Sequence, residues 1–180
     1  MIYIFLANGF EEVEALATVD VLRRADLKVK IVGVGSDVIT GAHGISTVCD
    51  AVDSDLTPGD DIEAVILPGG MPGTLNLERS AKVNAFLDYA YENQKIVCAI
   101  CAAPSILGHK GMLKGKKAVC FPGFESELEG AELSDSFVVT DGNIITAKGM
   151  GSAVKFGIAI GAAFVGEAKM KKIEESLQCS

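Results

Sequence analysis

Ile96-Val97-Cys98-Ala99-Ile100-Cys101-Ala102-Ala103-Pro104 is an apolar run that stops abruptly at a cysteine and passes into a small-residue stretch reading as a helix start. A short, uncharged, β-rich run of this kind reads as a buried strand, here Lys95 to Ile100. A strand feeding a helix is half of a βαβ unit, and the chain repeats the pattern on both sides of this segment.

Upstream, Ile2 to Leu6 reads as a strand. Glu11 to Arg24 reads as an amphipathic helix with Val13, Leu16, Ala17, Val21 and Leu22 on its apolar side. Lys28 to Val34 is a second strand, and Val38 to Cys49, with its Gly-rich middle, a hairpin. The acidic stretch from Asp50 to Asp61 is a loop marked by Pro58-Gly59. Ala64 to Leu67 is a strand ending in Pro68-Gly69-Gly70, followed by a helix from Ala81 to Glu92. Downstream, a helix runs from the cysteine to about Leu107. Lys117 to Cys120 is a strand and Glu125 to Leu128 a short helix. Phe137 to Thr140 and Ile144 to Ala147 form a hairpin around Asp141-Gly142-Asn143. Helices at Ser152 to Val165 and Lys169 to Leu177 close the chain. The expectation is an α/β fold, a three-layer α/β/α sandwich with a mostly parallel sheet, in one domain over residues 1–180.

Composition narrows the function. The 180 residues carry a net charge of −8, with 24 acidic against 16 basic side chains, which argues against a nucleic-acid footprint and gives no support for an anionic membrane surface. Lys114 to Lys117 and Lys169 to Lys172 read as solvated surface. The first residues lack a basic segment and a long apolar core, so they do not read as a signal peptide. Val154 to Val165 is too short to span a bilayer and is broken by Lys155. A cytoplasmic protein is expected, in which five cysteines, an odd count, fit reduced thiols better than disulfides.

In a parallel sheet every strand-to-helix loop emerges at one edge, where ligands bind. That edge gathers Asn8 to Glu14, Pro68-Gly69-Gly70, Cys101 and Lys148 to Gly151. Cys101, at a helix start, meets unpaired backbone N–H groups and the positive end of the helix dipole, both favouring a thiolate nucleophile; the alternative is a buried core thiol. Glu14 is the candidate acid/base. Burial beside a thiolate should raise its pKa, leaving a proton to donate. Glu11 and Glu12 read as surface charges that complement the helix dipole. Gly69 and Gly70 allow close backbone approach to an oxyanion, or form a plain turn; the Ala102 N–H is a second donor.

Other signals are weaker. Cys98 and Cys101 have a Cys-x-x-Cys spacing, but Cys98 falls inside the strand and not at the helix start. No second Cys pair and no His pair stands at zinc-ligand spacing beside them. His109 follows Cys101 by eight residues, about 12 Å along a helix, too far for a dyad. His43 sits on the hairpin tip. Gly33-Val34-Gly35 is only a fragment of a dinucleotide fingerprint.

The same residues carry a resemblance. Gly9-Phe10-Glu11-Glu12-Val13-Glu14, Val19 to Arg24, Val65-Ile66-Leu67-Pro68-Gly69-Gly70, Ala99 to Pro104 and Gly149-Met150-Gly151 together resemble the ThiJ/PfpI superfamily, in the branch of the parkinsonism-associated protein deglycase and its bacterial relatives. The resemblance implies a flavodoxin-like sandwich, a homodimer, and a cysteine on a strained elbow. It maps the reactive thiol to Cys101, its partner acid to Glu14 and the oxyanion amides to Gly70 and Ala102. Gly69, Arg24, His43 and Gly149 map to substrate-binding positions. The implied activity is that of a glutathione-independent glyoxalase or protein deglycase, acting without cofactor or metal on a small aldehyde or glycated substrate. An oxidative-stress sensor or chaperone working through Cys101 oxidation is the alternative. Peptidase-like members place His directly after the cysteine; here Ala102 stands there, so proteolysis is not expected. Phe121 precedes Pro122 where one branch member has His.

Overall fold

Strand burial on both faces organises the molecule. In the computed structural model, which describes residues 1–178, the elements follow in chain order. They begin with β1 (Ile2–Leu6), α1 (Glu12–Arg24), β2 (Val29–Gly33), β3 (Val38–Thr40), β4 (Ser46–Val48), β5 (Ala51–Val52) and β6 (Ala64–Leu67). Next come α2 (Gly73–Arg79), α3 (Ala81–Glu92), β7 (Ile96–Ile100) and α4 (Pro104–His109). The chain ends with β8 (Lys117–Ala118), β9 (Glu132–Leu133), β10 (Val138–Asp141), β11 (Ile144–Ala147), α5 (Ala153–Val165) and α6 (Glu167–Ser176).

The central sheet has the order β10-β11-β7-β6-β1-β2-β5. All neighbours are parallel except the edge pair β10–β11. Alternate residues serve opposite layers. Tyr3 and Phe5 pack with Leu77, Phe86 and Ile106 on the side of α2, α3 and α4. Ile2, Ile4 and Leu6 pack with Ala15, Val19, Leu22, Phe156 and Ile160 on the side of α1 and α5. The Phe86 ring meets Tyr3 and Phe5 edge-on, with centroids 5.3 and 5.0 Å apart. The three-layer sandwich expected from the sequence is therefore present.

The chain leaves β1 for β2 on one side and returns to β6 on the other. Strand order reverses at β1, and the crevice beyond its C-terminal end lies beside the ends of β6 and β7.

Several local expectations change. The buried side of α1 comprises Glu12, Glu14, Ala15, Thr18, Val19, Val21 and Leu22, while Val13 faces out. Two carboxylates, not Val13 and Leu16, occupy the inward stripe at the helix start. The hairpin of β3 and β4 forms a sheet of its own, and the acidic stretch contributes the edge strand β5. Gly73–Arg79 is helical, a stretch to which the sequence reading assigned no element. The strand at Lys117 spans only two residues and pairs with β9, outside the main sheet.

Candidate active site

β7 ends at Ile100, and Cys101 turns out of the sheet with φ +67°, a left-handed conformation unfavourable for a residue with a Cβ. Two neighbours hold the bend. The Cys101 N–H donates to the Ala147 carbonyl at 2.9 Å, and the Cys101 carbonyl accepts the Phe121 N–H at 2.8 Å. Pro104 occupies the first helical position of α4, where its missing N–H costs nothing.

Glu14 reaches the same point from the first turn of α1. Glu11 caps that helix, its Oε2 accepting the Glu14 N–H at 2.7 Å. The Glu14 side chain is buried, and its Oε2 accepts the Gly69 N–H at 2.8 Å. Its Oε1 is buried without a hydrogen-bond partner of ordinary geometry. The Cys101 thiol lies beside this carboxyl group, and their contact couples the two titrations. Burial pushes the Glu14 carboxyl up to about 7, against the opposing effects of Cys101 and the Gly69 N–H. Burial, and then the Glu14 charge and hydrogen bond, push the Cys101 thiol up to about 12, against the Ala102 and Gly70 N–H groups that donate to the sulfur.

The Glu14 shift has the expected direction. The thiol does not: removal from water and a neighbouring carboxylate outweigh the backbone donors and the helix start. The two groups titrate as a pair, which sheds one proton near 7 and holds the other until near 12. In between it carries one negative charge.

The remaining predicted residues separate into those at this point and those away from it. Gly70 (φ +89°) and Ala102 supply the N–H groups at the sulfur. Gly69 lies between the pair: a Cβ there would stand 2.6 Å from the Cys101 Cβ. Gly149 lies one strand away, where a Cβ would meet the Phe121 ring at 3.2 Å. His43 is held by Glu12, its Nδ1 2.9 Å from Oε2 and its N–H donating to Oε1 at 2.7 Å. Those bonds pin the β3–β4 turn over the start of α1, and no bond joins His43 to Cys101 or Glu14. Arg24 is a correction. It lies in the last turn of α1, ten residues and about 15 Å of helix from Glu14. There it donates to Asp20 at 2.6 Å, so within one chain it takes no part in this site.

Glu12, read as a surface charge, is also corrected. It is buried, with both oxygens engaged by the β3–β4 turn. Cys98 is fully buried in β7 among the residues of the α1 side, and burial raises its thiol pKa. It packs as a core residue away from the sulfur of Cys101. Cys49 and Cys120 are likewise buried free thiols, and Cys179 lies outside the described residues. His109 bridges two acids, its Nδ1 2.5 Å from Glu78 and its Nε2 2.9 Å from Glu127. Among the described residues, no helix is long and apolar enough to cross a membrane.

Sequence reasoning missed the backbone contacts of Gly69 and Phe121. Both use a main-chain N–H donated from a distant segment, and the donor's side-chain type carries no signal for it.

Comparison with known proteins gives the family and the fold. Residues 1–163 match the model of the DJ-1/PfpI family. The chain is 31% identical over 177 residues to Protein dj-1beta of Drosophila melanogaster, covering 97% of this chain and 94% of that protein. The crystal structure of a cysteine-to-alanine mutant of a DJ-1 superfamily protein from Salmonella typhimurium matches with TM-score 0.91 and 32% identity, over 98% of this chain and 96% of that one. The oxidized DJ-1 of Toxoplasma gondii matches with TM-score 0.93 and 28% identity, over 98% and 96% of the two chains.

Proposed function

The chain belongs to the DJ-1/PfpI family, and from that premise we propose that it is a cofactor-independent cysteine enzyme acting on small reactive carbonyls, of the glyoxalase or deglycase type. One observation carries the reading: the Cys101 sulfur receives two backbone N–H groups on a strained bend, against a buried acid whose pKa is raised to about 7. The reactive form of the singly charged pair is reached when the thiol passes its proton to Glu14, and the Gly70 and Ala102 N–H groups favour the resulting thiolate. The proton sits best on Glu14 Oε1, the oxygen that lacks any other partner.

With methylglyoxal as substrate, the thiolate adds to the aldehyde carbon and the C–S bond forms. The displaced carbonyl pair goes to oxygen, which takes the Glu14 proton to give a hemithioacetal. The Glu14 carboxylate next removes the former aldehyde hydrogen as a proton. Return of that proton to the neighbouring carbon, with the hydroxyl proton of the first carbon passing to the neighbouring oxygen, leaves a 2-hydroxy thioester. Water then cleaves the C–S bond, releasing lactate and restoring the thiol. The sum is methylglyoxal plus water to lactate, with no external oxidant or reductant. The Gly70 and Ala102 N–H groups lie where charge develops on the substrate oxygen. Release of a glycated amine uses the same addition.

Lactate formation from methylglyoxal by wild type and Cys101→Ala tests the reading. Loss of at least about a hundredfold in the variant is expected for removal of a nucleophile; equal rates would sink it.

A second reading is favoured by the same donors. Two N–H groups and a protonated Glu14 would also hold the oxygens of a cysteine sulfinate, and one similar structure is of an oxidized protein. Stoichiometric peroxide oxidation of Cys101 without carbonyl turnover would select this sensor role.

A further inference from the structure

Beside the Cys101 bend, on the β11 side, lies an open cleft of about 330 Å³. Its walls include Phe121, Pro122, Phe137, Lys148, Met150 and Ser152, and no carboxylate lines it. The Cys101 side chain is not among the lining groups.

Lys148 sets the chemistry. It is half-buried, and among the described residues its ammonium has neither an ion pair nor a hydrogen bond. Lys110, Lys116, Lys117 and Lys169 each reach an acid, whereas the half-buried Lys148 does not. A partly desolvated cation without a partner is costly, and an anion entering the cleft would offset that cost. Lys155 adds a second cation at the rim, its Nζ 5.7 Å from the Phe137 ring centroid.

The rest of the cleft is apolar. Phe121, Phe137 and Met150 are 47%, 62% and 52% exposed, a concentration of large apolar groups that water covers poorly. The frame is fixed. The Lys148 N–H donates to the Phe137 carbonyl at 2.9 Å, and the Ser152 hydroxyl closes the turn on the Gly149 carbonyl at 2.7 Å. The volume falls within the usual range for small-molecule sites and exceeds what a two- or three-carbon acid fills.

We propose that this cleft binds small organic carboxylates that bear an aryl or branched alkyl group, with Lys148 on the carboxylate and Phe121 and Phe137 on the apolar arm. The inference does not rest on carbonyl chemistry at Cys101.

Phenylacetate is the probe, titrated into the full-length protein and followed by amide chemical shifts. Saturable binding with Kd below about 1 mM is expected, with shifts centred on Phe121, Phe137 and residues 148–152. Acetate lacks the ring and phenylacetamide lacks the charge; each should bind at least about tenfold more weakly. Lys148→Met keeps the apolar stem, removes no internal bond, and should also weaken phenylacetate about tenfold with an unchanged melting temperature. No saturation by about 20 mM, equal affinity in Lys148→Met, or shifts centred on Gly70 and Cys101 would each overturn the proposal.

Discussion

The Gly69 N–H donates to Glu14 Oε2 at 2.8 Å, and a Cβ placed on Gly69 would stand 2.8 Å from that same oxygen. The glycine is at once the anchor of the carboxylate and the gap that admits it. Gly69→Ala should push Glu14 off the Cys101 sulfur. Overpacking of this kind costs about 1–3 kcal/mol. A lowered melting temperature and a changed pH profile of Cys101 alkylation are expected, and a variant indistinguishable from wild type in both would contradict the geometry.

Glu14→Gln should simplify the titration of the thiol. In wild type, alkylation against pH should show a step near 7 as the pair loses its first proton and a further rise toward 12. The variant has no carboxylate charge to repel the thiolate, so one step should replace the two, at a pH between them. Iodoacetamide kinetics, with the modified cysteine identified by mass, give the profile directly.

Glu14 should also make the fold less stable as pH rises. Its carboxyl titrates near 7 in the folded chain and near 4.5 when exposed. Between those values the folded state binds more protons than the unfolded state, so stability falls with rising pH across that window and is flat above it. The contribution is up to roughly 3 kcal/mol at 1.36 kcal/mol per pKa unit. Urea denaturation at pH 4.5 and 7.5 should show a smaller difference for Glu14→Gln than for wild type.

His109 has the same sign of dependence, over a window that begins higher. Glu78 and then Glu127 raise its pKa, and both ring nitrogens can donate only in the imidazolium. The clasp is complete below the ordinary His value of 6.5 and is lost as pH rises through the raised folded value. His109→Gln should lower the melting temperature at pH 6 and have little effect at pH 9. Equal losses at both would place the role of His109 in packing.

Cys98 should stay silent. It is fully buried within β7 and its thiol pKa is raised by burial. Peroxide followed by intact-mass analysis should show no Cys98–Cys101 disulfide, and Cys98→Ala should leave the Cys101 alkylation rate unchanged.

The parallel strands were legible because each is a short apolar run between turn residues, and double-sided burial enforces that composition at Ile2–Leu6 and Ile96–Ile100. α2 was not, since Gly73 and Asn76 weaken a seven-residue segment that tertiary packing of Leu77 nevertheless makes helical. At the candidate site, Cys101, Glu14, Gly70 and Ala102 were nominated by spacing and edge position. The direction of the thiol shift was not available, because it depends on how much water the fold removes. The Lys148 cleft was also hidden. Its walls come from three separated segments, 121–122, 137 and 148–152, and none has a distinctive pattern alone.

The backbone at Cys101 suits glycine better than cysteine. A side chain at φ +67° carries a conformational penalty of about 1–2 kcal/mol, which glycine escapes. A chain that gave up this sulfur for glycine would therefore lose the nucleophile proposed above and relax a strained turn in one step. Selection for sturdiness alone would remove the thiol, so its presence at this bend is a cost to the fold that the proposed reactivity accounts for.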